Sequence, residues 1–349
     1  MTALRNLITD VAGLRVGNAH DPKLASGVTA ILFDTPAVAS YAVNGGAPGT
    51  RDTDLLEPDK VVPGINAIVL SGGSAFGLDA AGGVQAHLRE KGIGFSVGSA
   101  LVPLVPQAIT FDLLNGGDKE WGLYSPYREL GYEAAQAAGL DFALGTAGGG
   151  YGATTVDVKG GLGSASAVTR AGHTVGAVVI VNALASTLVG DGPHFWAAPY
   201  EEGDEFGGLG LPPRITPEMR QFDWKGRGRA AAPPISTTIA LIATDAVLTK
   251  AQAKRLAVIS HDGHAKGLRF AHALYDGDTI FAAATGRKPL KDEAGDFIEI
   301  GALAADCLAR AIARGVYEAT ALPFAGAQPA WRDRFGDLVK GDASQPPRG

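Results

Sequence analysis

The stretch that most constrains this chain is Pro233-Pro234-Ile235-Ser236-Thr237-Thr238-Ile239-Ala240-Leu241-Ile242-Ala243-Thr244-Asp245. A rigid approach ends in two prolines, and the β-branched, apolar run that follows predicts a buried strand. Ser236, Thr237 and Thr238 stand at the junction. Their hydroxyls admit two readings. Threonine suits strands, which accounts for the pair without any chemistry. Alternatively, a cut between Ser236 and Thr237 would leave Thr237 with a free α-amine beside its own hydroxyl. Such an amine titrates near about 7.7–8 in a reference peptide and can act as a general base at neutral pH. One residue would then supply both nucleophile and base.

The rest of the chain predicts a large folded core. It has 349 residues, of which 46% are hydrophobic and 19% charged, enough for one large α/β domain or two smaller ones. The net charge of −6 and the lack of a basic cluster argue against nucleic-acid binding. No apolar run approaches about 20 residues, so no membrane span is expected. Met1 to Val16 does not read as a signal peptide. The single Cys307 lies in a helical pattern and calls for no disulfide framework, which fits a cytoplasmic protein. The 49 glycines predict tight turns and close backbone approach.

Along the chain, Gly27 to Asp34 and Ala37 to Val43 are strand-like runs separated by Thr35-Pro36 and predict a hairpin. Asn44 to Asp54 is a Gly-rich, charged loop, either a solvated connection or a substrate-side loop. The apolar strand Ile65 to Leu70 leads into Ser71-Gly72-Gly73-Ser74-Ala75-Phe76-Gly77 and a helix over Leu78 to Lys91. A strand, glycine turn and helix can present backbone N–H groups to an oxyanion. Ser74 is not a nucleophile elbow, because Phe76 stands where that motif needs glycine; it reads as a helix cap or turn residue. The run Gly148-x-Gly150-x-x-Ala153 matches a dinucleotide fingerprint formally, but strands and turns follow it rather than a helix. Thr174 to Asn182 is a clear strand ending on an amide, either a turn residue or an oxyanion donor. Residues 188–234 carry Gly, Pro and charge without a sustained period, which predicts a mobile linker with the slack that self-cleavage needs. Beyond Thr237, helices are expected over Thr249 to Ile259, Gly267 to Ala273 and Gly301 to Thr320. His261-Asp262-Gly263-His264 lacks a third ligand at zinc spacing, so no metal site is expected. Asp276-Gly277-Asp278 precedes the strand Ile280 to Thr285, either as turn chemistry or as an active-site acid pair.

Taken in order, Gly27 to Asp34, Gly45-Gly46-Ala47-Pro48-Gly49-Thr50-Arg51, Leu70 to Leu78, Lys159-Gly160-Gly161-Leu162-Gly163-Ser164-Ala165-Ser166, Asn182, Ser236-Thr237-Thr238 and Asp276-Gly277-Asp278 resemble the DmpA-like peptidases of family S58. That family includes L-aminopeptidase/D-esterases, β-peptidyl aminopeptidases and 6-aminohexanoate-oligomer endohydrolases. The resemblance covers about residues 8 to 325. It implies a single four-layer αββα sandwich of the N-terminal-nucleophile, ornithine-acetyltransferase-like type, cut once into 1–236 and 237–349. By the same resemblance Thr237 matches the nucleophile, Asn182 an oxyanion donor, Asp276 and Asp278 the acids of the nylon-oligomer branch, and Lys159 a basic residue after the Gly-rich run. A second oxyanion donor is expected from the loops bearing Gly72, Gly73 and Ser74 or Gly149 and Gly150. The implied substrate is a small peptide or linear ω-amino-acid oligoamide, with no metal or organic cofactor and with assembly into a homo-oligomer, a tetramer of processed units. The competing expectations are an acyltransferase of the ornithine-acetyltransferase type and a non-catalytic scaffold on the same fold.

Overall fold

A computed structural model describes residues 4–227 and 236–339. Pro233, Pro234, Ile235 and the polar tail beyond residue 339 lie outside the described residues. The elements are β1 (Leu14–Asp21), β2 (Ser26–Val43), β3 (Thr50–Arg51), β4 (Ile65–Ser71), α1 (Ser74–Gly77), α2 (Ala80–Glu90), β5 (Phe95–Val97), β6 (Ala100–Val102), β7 (Gln107–Ile109), α3 (Tyr127–Gln136), β8 (Gly161–Val168), β9 (Thr174–Asn182), β10 (Thr237–Ala246), α4 (Lys250–Ser260), α5 (Asp262–Gly267), β11 (Thr279–Lys288), α6 (Glu293–Tyr317) and α7 (Trp331–Phe335).

The predicted hairpin over residues 27–43 is instead one strand, β2, 18 residues long. Its first half pairs with β1 and β4, and its second half with β11. The exposed Asp34, Thr35 and Pro36 mark the passage between the two halves rather than a reversal. Pairing to β4 shifts register there, between Leu32 and Ala37, where a proline without an N–H is tolerated. Two sheets therefore share β2. One is built of β3, β7, β4, β2 and β1, the other of β2, β11, β10, β9 and β8.

Strand alternation sorts side chains into three apolar layers. In β10, Ile239, Leu241 and Ala243 join Ile31, Ile68 and Phe281 between the sheets. Ala240 and Ile242 face the other way, with α4 and α6 residues such as Leu256, Leu308 and Ile312. Val28, Ala30, Ala67 and Val69 of the other sheet pack under α2 and α3. The result is helix, sheet, sheet, helix, the αββα order. Every residue of β9 and β10 is buried, because both faces of this central pair are covered.

The expectation of a mobile linker over 188–234 does not hold for residues 188–227. Leu188, Val189, Phe195, Ala197 and Phe206 are buried, and Phe195 stacks on Trp331 at 5.7 Å between ring centroids. Glu205 accepts from the buried Arg310 of α6 at 2.6 Å. Scattered aromatics without a period were anchors into a neighbouring core. The helix expected over Gly267 to Ala273 also shifts: α5 ends at Gly267 and the chain then runs irregularly to Asp278. Cys307 is buried in α6, and burial pushes its thiol up to about 12.

Candidate active site

Antiparallel pairing of β9 and β10 sets Thr237, the first residue of one, opposite Asn182, the last of the other. Both are buried. The Thr237 hydroxyl donates to the carbonyl oxygen of Ser236, the residue before it. Ser236 in turn forms a parallel bridge with Asp276. Its N–H donates to Tyr275 O at 3.3 Å and its carbonyl oxygen accepts from Gly277 N–H at 3.0 Å.

Parallel pairing of β10 with β11 brings the acidic loop to this point. Asp278 Oδ1 accepts from Thr238 N–H at 2.8 Å, and Oδ2 from the N–H of His272 at 2.8 Å, with His272 Nδ1 2.9 Å away. Gly277 is required by contact: a Cβ there would lie 2.8 Å from Thr237 Oγ1 and 3.0 Å from Ala47 O. The first residues of the loop Asn44 to Asp54 brace the acids. Asn44 N–H donates to Asp278 O and Ala47 N–H to Asp276 O, at 3.1 and 2.7 Å. The two carboxyls diverge. Burial, then the charge of Asp278, pushes Asp276 up to about 7, against the Ala273 N–H and the Lys225 and His272 charges. Burial also raises Asp278, but the His272 hydrogen bond, His264 and the Thr238 N–H outweigh it and hold Asp278 below the usual range. Asp276 Oδ1 is buried without a hydrogen bond among the described residues.

Asn182 is held by three partners. Its Oδ1 accepts from Thr154 N–H and from Lys225 Nζ, both at 3.1 Å. One Nδ2 hydrogen goes to Phe111 O at 2.9 Å. The amide carries two hydrogens, so a second donor is left for another acceptor. Lys225 was not anticipated from the sequence. Its ammonium also reaches Thr154 O at 2.7 Å, and this enclosure pushes it down to about 7, with Asp276 opposing. Lys159, by contrast, binds the carbonyls of Gly150, Ala153 and Gly160 at 3.0, 2.8 and 2.9 Å. Burial lowers it to about 7 as well. Its three bonds staple the Gly-rich turn.

The expected second oxyanion donor is not offered by the glycine loops. The N–H groups of Gly72, Gly73 and Ser74 go to Gly27 O, Asp112 Oδ1 and Thr110 O at 2.9, 2.7 and 2.9 Å. Those of Gly149 and Gly150 go to Thr29 Oγ1 and Ala147 O. Nor does Ser74 cap a helix with its side chain; it is the first residue of α1, with φ of 51°. The donors near Thr237 lie elsewhere: Gly277 N–H, which meets the Ser236 carbonyl oxygen, and the second Nδ2 hydrogen of Asn182.

A cavity of about 730 Å³ opens beside this network, lined among others by Phe111, Asp112, Thr154, Trp224, Lys225 and Arg227. Trp224 also lines a smaller apolar cavity of about 220 Å³ with Phe222, Phe270, Leu274 and Tyr275. Thr237 lines neither; Lys225 links the larger cavity to Asn182, the partner of Thr237. The fold also supplies what the sequence withheld from His261 and His264, a third histidine: ligand atoms of His261, His264 and His272 lie within 4.8 Å of one another.

Comparison with known proteins gives the family and the fold. The sequence profile of peptidase family S58 matches residues 6–328. An uncharacterized aminopeptidase of Mycobacterium tuberculosis is 41% identical over 348 residues, covering 95% of this chain and 98% of that protein. A 6-aminohexanoate-oligomer endohydrolase of Kocuria sp. is 27% identical over 298 residues, covering 81% and 76%. Among solved structures, a Burkholderia sp. beta-aminopeptidase has a TM-score of 0.68 at 22% identity, covering 99% of this chain and 96% of that one. The L-aminopeptidase D-Ala-esterase/amidase of Ochrobactrum anthropi, described as a variant of the Ntn hydrolase fold, has a TM-score of 0.65 at 19% identity, covering 97% and 96%. These two likenesses establish the shared fold.

Proposed function

The chain belongs to peptidase family S58, and we propose that this hydrolase of amide bonds makes its own nucleophile by cutting between Ser236 and Thr237. The observation that carries the reading is the Ser236 carbonyl oxygen, which is contacted by the Thr237 hydroxyl and already accepts from Gly277 N–H. Thr237 Oγ attacks the Ser236 carbonyl carbon, and the charge that develops on oxygen falls on the Gly277 N–H. The hydroxyl proton passes to a base; Asp276 and Lys225, both brought near neutrality, are the groups available. The C–N bond breaks, the Thr237 amine takes up a proton, and an ester joins Ser236 to Thr237. Water opens it, leaving 1–236 with a terminal carboxylate and 237–349 with a free Thr237.

In the processed enzyme the amine of Thr237 assists its own hydroxyl in attacking a substrate amide. Asn182, the register partner, supplies an oxyanion donor, a contribution typically about 2.7–4 kcal/mol. Asp276 and Asp278 orient the amine, and the acyl-enzyme hydrolyses. Small peptides or linear ω-amino-acid oligoamides are the proposed substrates, in keeping with the names of the relatives and the size of the larger cavity. We place the enzyme in the cytoplasm as a homotetramer of processed units. Among the described residues no helix is long and apolar enough to cross a membrane. Association is supported by the β5–β6 ribbon, whose residues are all exposed, Val97 at 59% and Leu101 at 47%.

Intact mass under denaturing conditions tests the core of this reading. Two chains matching 1–236 and 237–349 are expected; a single chain after long incubation overturns it. An aminoacyl anilide set against a capped oligoamide then separates exo- from endo-cleavage, and light scattering reads the assembly.

A further inference from the structure

Three histidines from separate places in the chain meet behind the acidic loop. His261 stands between α4 and α5, His264 lies in α5, and His272 sits in the irregular stretch before β11. Their ring centroids are 5.3, 4.9 and 5.2 Å apart in the pairs 261–264, 261–272 and 264–272. Three imidazoles bound tetrahedrally to one ion with Zn–N of about 2.0–2.1 Å would place their centroids about 5 Å apart. We propose that His261, His264 and His272 form a binding site for a divalent transition ion of the zinc class.

The hydrogen bonds around the trio are those a metal site needs. A ligating histidine commonly donates its other ring N–H to a carbonyl or carboxylate, which fixes its orientation. His261 Nε2 faces Ala42 O at 3.1 Å. A carbonyl only accepts, so the proton is on Nε2 and Nδ1 carries a lone pair. Nδ1 is buried and has no hydrogen bond among the described residues. His272 Nδ1 faces Asp278 Oδ2 at 2.9 Å, which leaves Nε2 as its nitrogen for an ion. His264 is fully buried, and among the described residues its ring has only a loose contact with the Thr238 backbone and no aligned hydrogen bond. A buried imidazole with at least one nitrogen unanswered is costly unless something fills the gap.

His272 provides the approach, since its side chain is 27% exposed. It also adopts φ of 64°, a conformation uncommon for residues other than glycine. Donor atoms on a tetrahedral ion sit about 3.4 Å apart, so with the ring centroids already at the bound spacing and the ligand atoms within 4.8 Å, loading asks the rings to turn in place. Because His272 and Thr238 both bond Asp278, the ion would be coupled to the residue beside Thr237.

Isothermal titration with zinc chloride and the visible absorption of added cobalt(II) test this on the full-length protein. One equivalent bound with intense tetrahedral ligand-field bands is expected. His264→Gln should abolish the bands and weaken binding by more than the about 10–100-fold typical of an outer hydrogen-bond partner. His272→Gln, at the more exposed position, repeats the test where His264→Gln fails to fold. His20→Gln, at an exposed site, should change nothing. Absence of stoichiometric binding in the wild type, or retention of the bands in both cluster variants, overturns the site.

Discussion

Gly277 N–H donates to the carbonyl oxygen of Ser236 at 3.0 Å, so a donor already stands where negative charge would develop if Thr237 attacked that carbonyl. A Cβ at position 277 would lie 2.8 Å from Thr237 Oγ1, so the glycine also makes room for the hydroxyl. Donor and nucleophile thus approach the same peptide bond.

Thr237→Ala should leave one intact chain and reduce amide hydrolysis by about 10⁴-fold or more, as when a nucleophile acting within a catalytic unit is removed. Thr237→Ser keeps a hydroxyl and should still split. Denaturing mass spectrometry reads both. Cleavage of the alanine variant at the same bond would sink the assignment.

Asn182→Ala should lower kcat by about 10²–10³ with little change in KM, the cost of one oxyanion donor. It should also lower stability by about 1–3 kcal/mol, because Thr154 N–H and Lys225 Nζ lose their shared acceptor. Steady-state kinetics and urea unfolding separate the two effects. A rise in KM alone would mean that the amide binds substrate uniformly.

Lys225→Met should slow self-cleavage by about 10²-fold, the lower range for loss of an acid–base group. Its melting temperature should fall modestly, since Thr154 O and Asn182 Oδ1 lose their shared donor. A time course of the split chain and a thermal melt decide it; wild-type cleavage kinetics would reduce Lys225 to a structural role.

Stability of the uncut protein should depend on pH with opposite signs on either side of neutrality. Asp276 keeps its proton to about pH 7 when folded but loses it near about 3.9 when unfolded, so stability falls as pH rises through that window. Lys225 releases its proton near about 7 when folded and near about 10.4 when unfolded, so stability rises again above neutrality. Asp278, His272 and Lys225 are the charges acting on Asp276. In the Thr237→Ala background, urea midpoints at about pH 5, 7 and 9 should trace this minimum, and Asp276→Asn should flatten the acid side.

Lys159→Met should act on the fold. Three carbonyls lose their donor, which costs about 2–4 kcal/mol in urea unfolding if each retains part of its desolvation penalty. Unchanged stability with lost turnover would instead make Lys159 a catalytic group.

What the sequence made legible was local or periodic. The strand from Thr237 and the strand ending at Asn182 are continuous apolar runs, and the Asp276-Gly277-Asp278 turn is contiguous. The pairing of the two strand ends follows once they are neighbours. The misses are contacts between distant segments. Lys225 reaches Asn182 across 43 residues from a stretch with no period to read. His272 joins His261 and His264 only because the chain turns back after α5. The glycine loops carried the right composition for presenting N–H groups, but tertiary acceptors had claimed them. The dipeptide Thr35-Pro36 looked like a reversal because a strand that serves two sheets has no one-sheet pattern.

The central position of β10 and β11 bears on what the molecule would become if the proposed cut is made. These two strands lie between β9 and β2, so the downstream piece is laced into the upstream one through ladders on both flanks. Before scission, refolding is a property of one chain and independent of dilution. Afterwards it requires two molecules to meet, and its rate scales with concentration. The processed protein would run as one body in native chromatography yet lose the ability to recover from denaturant at low concentration, so its persistence would rest on the height of the unfolding barrier.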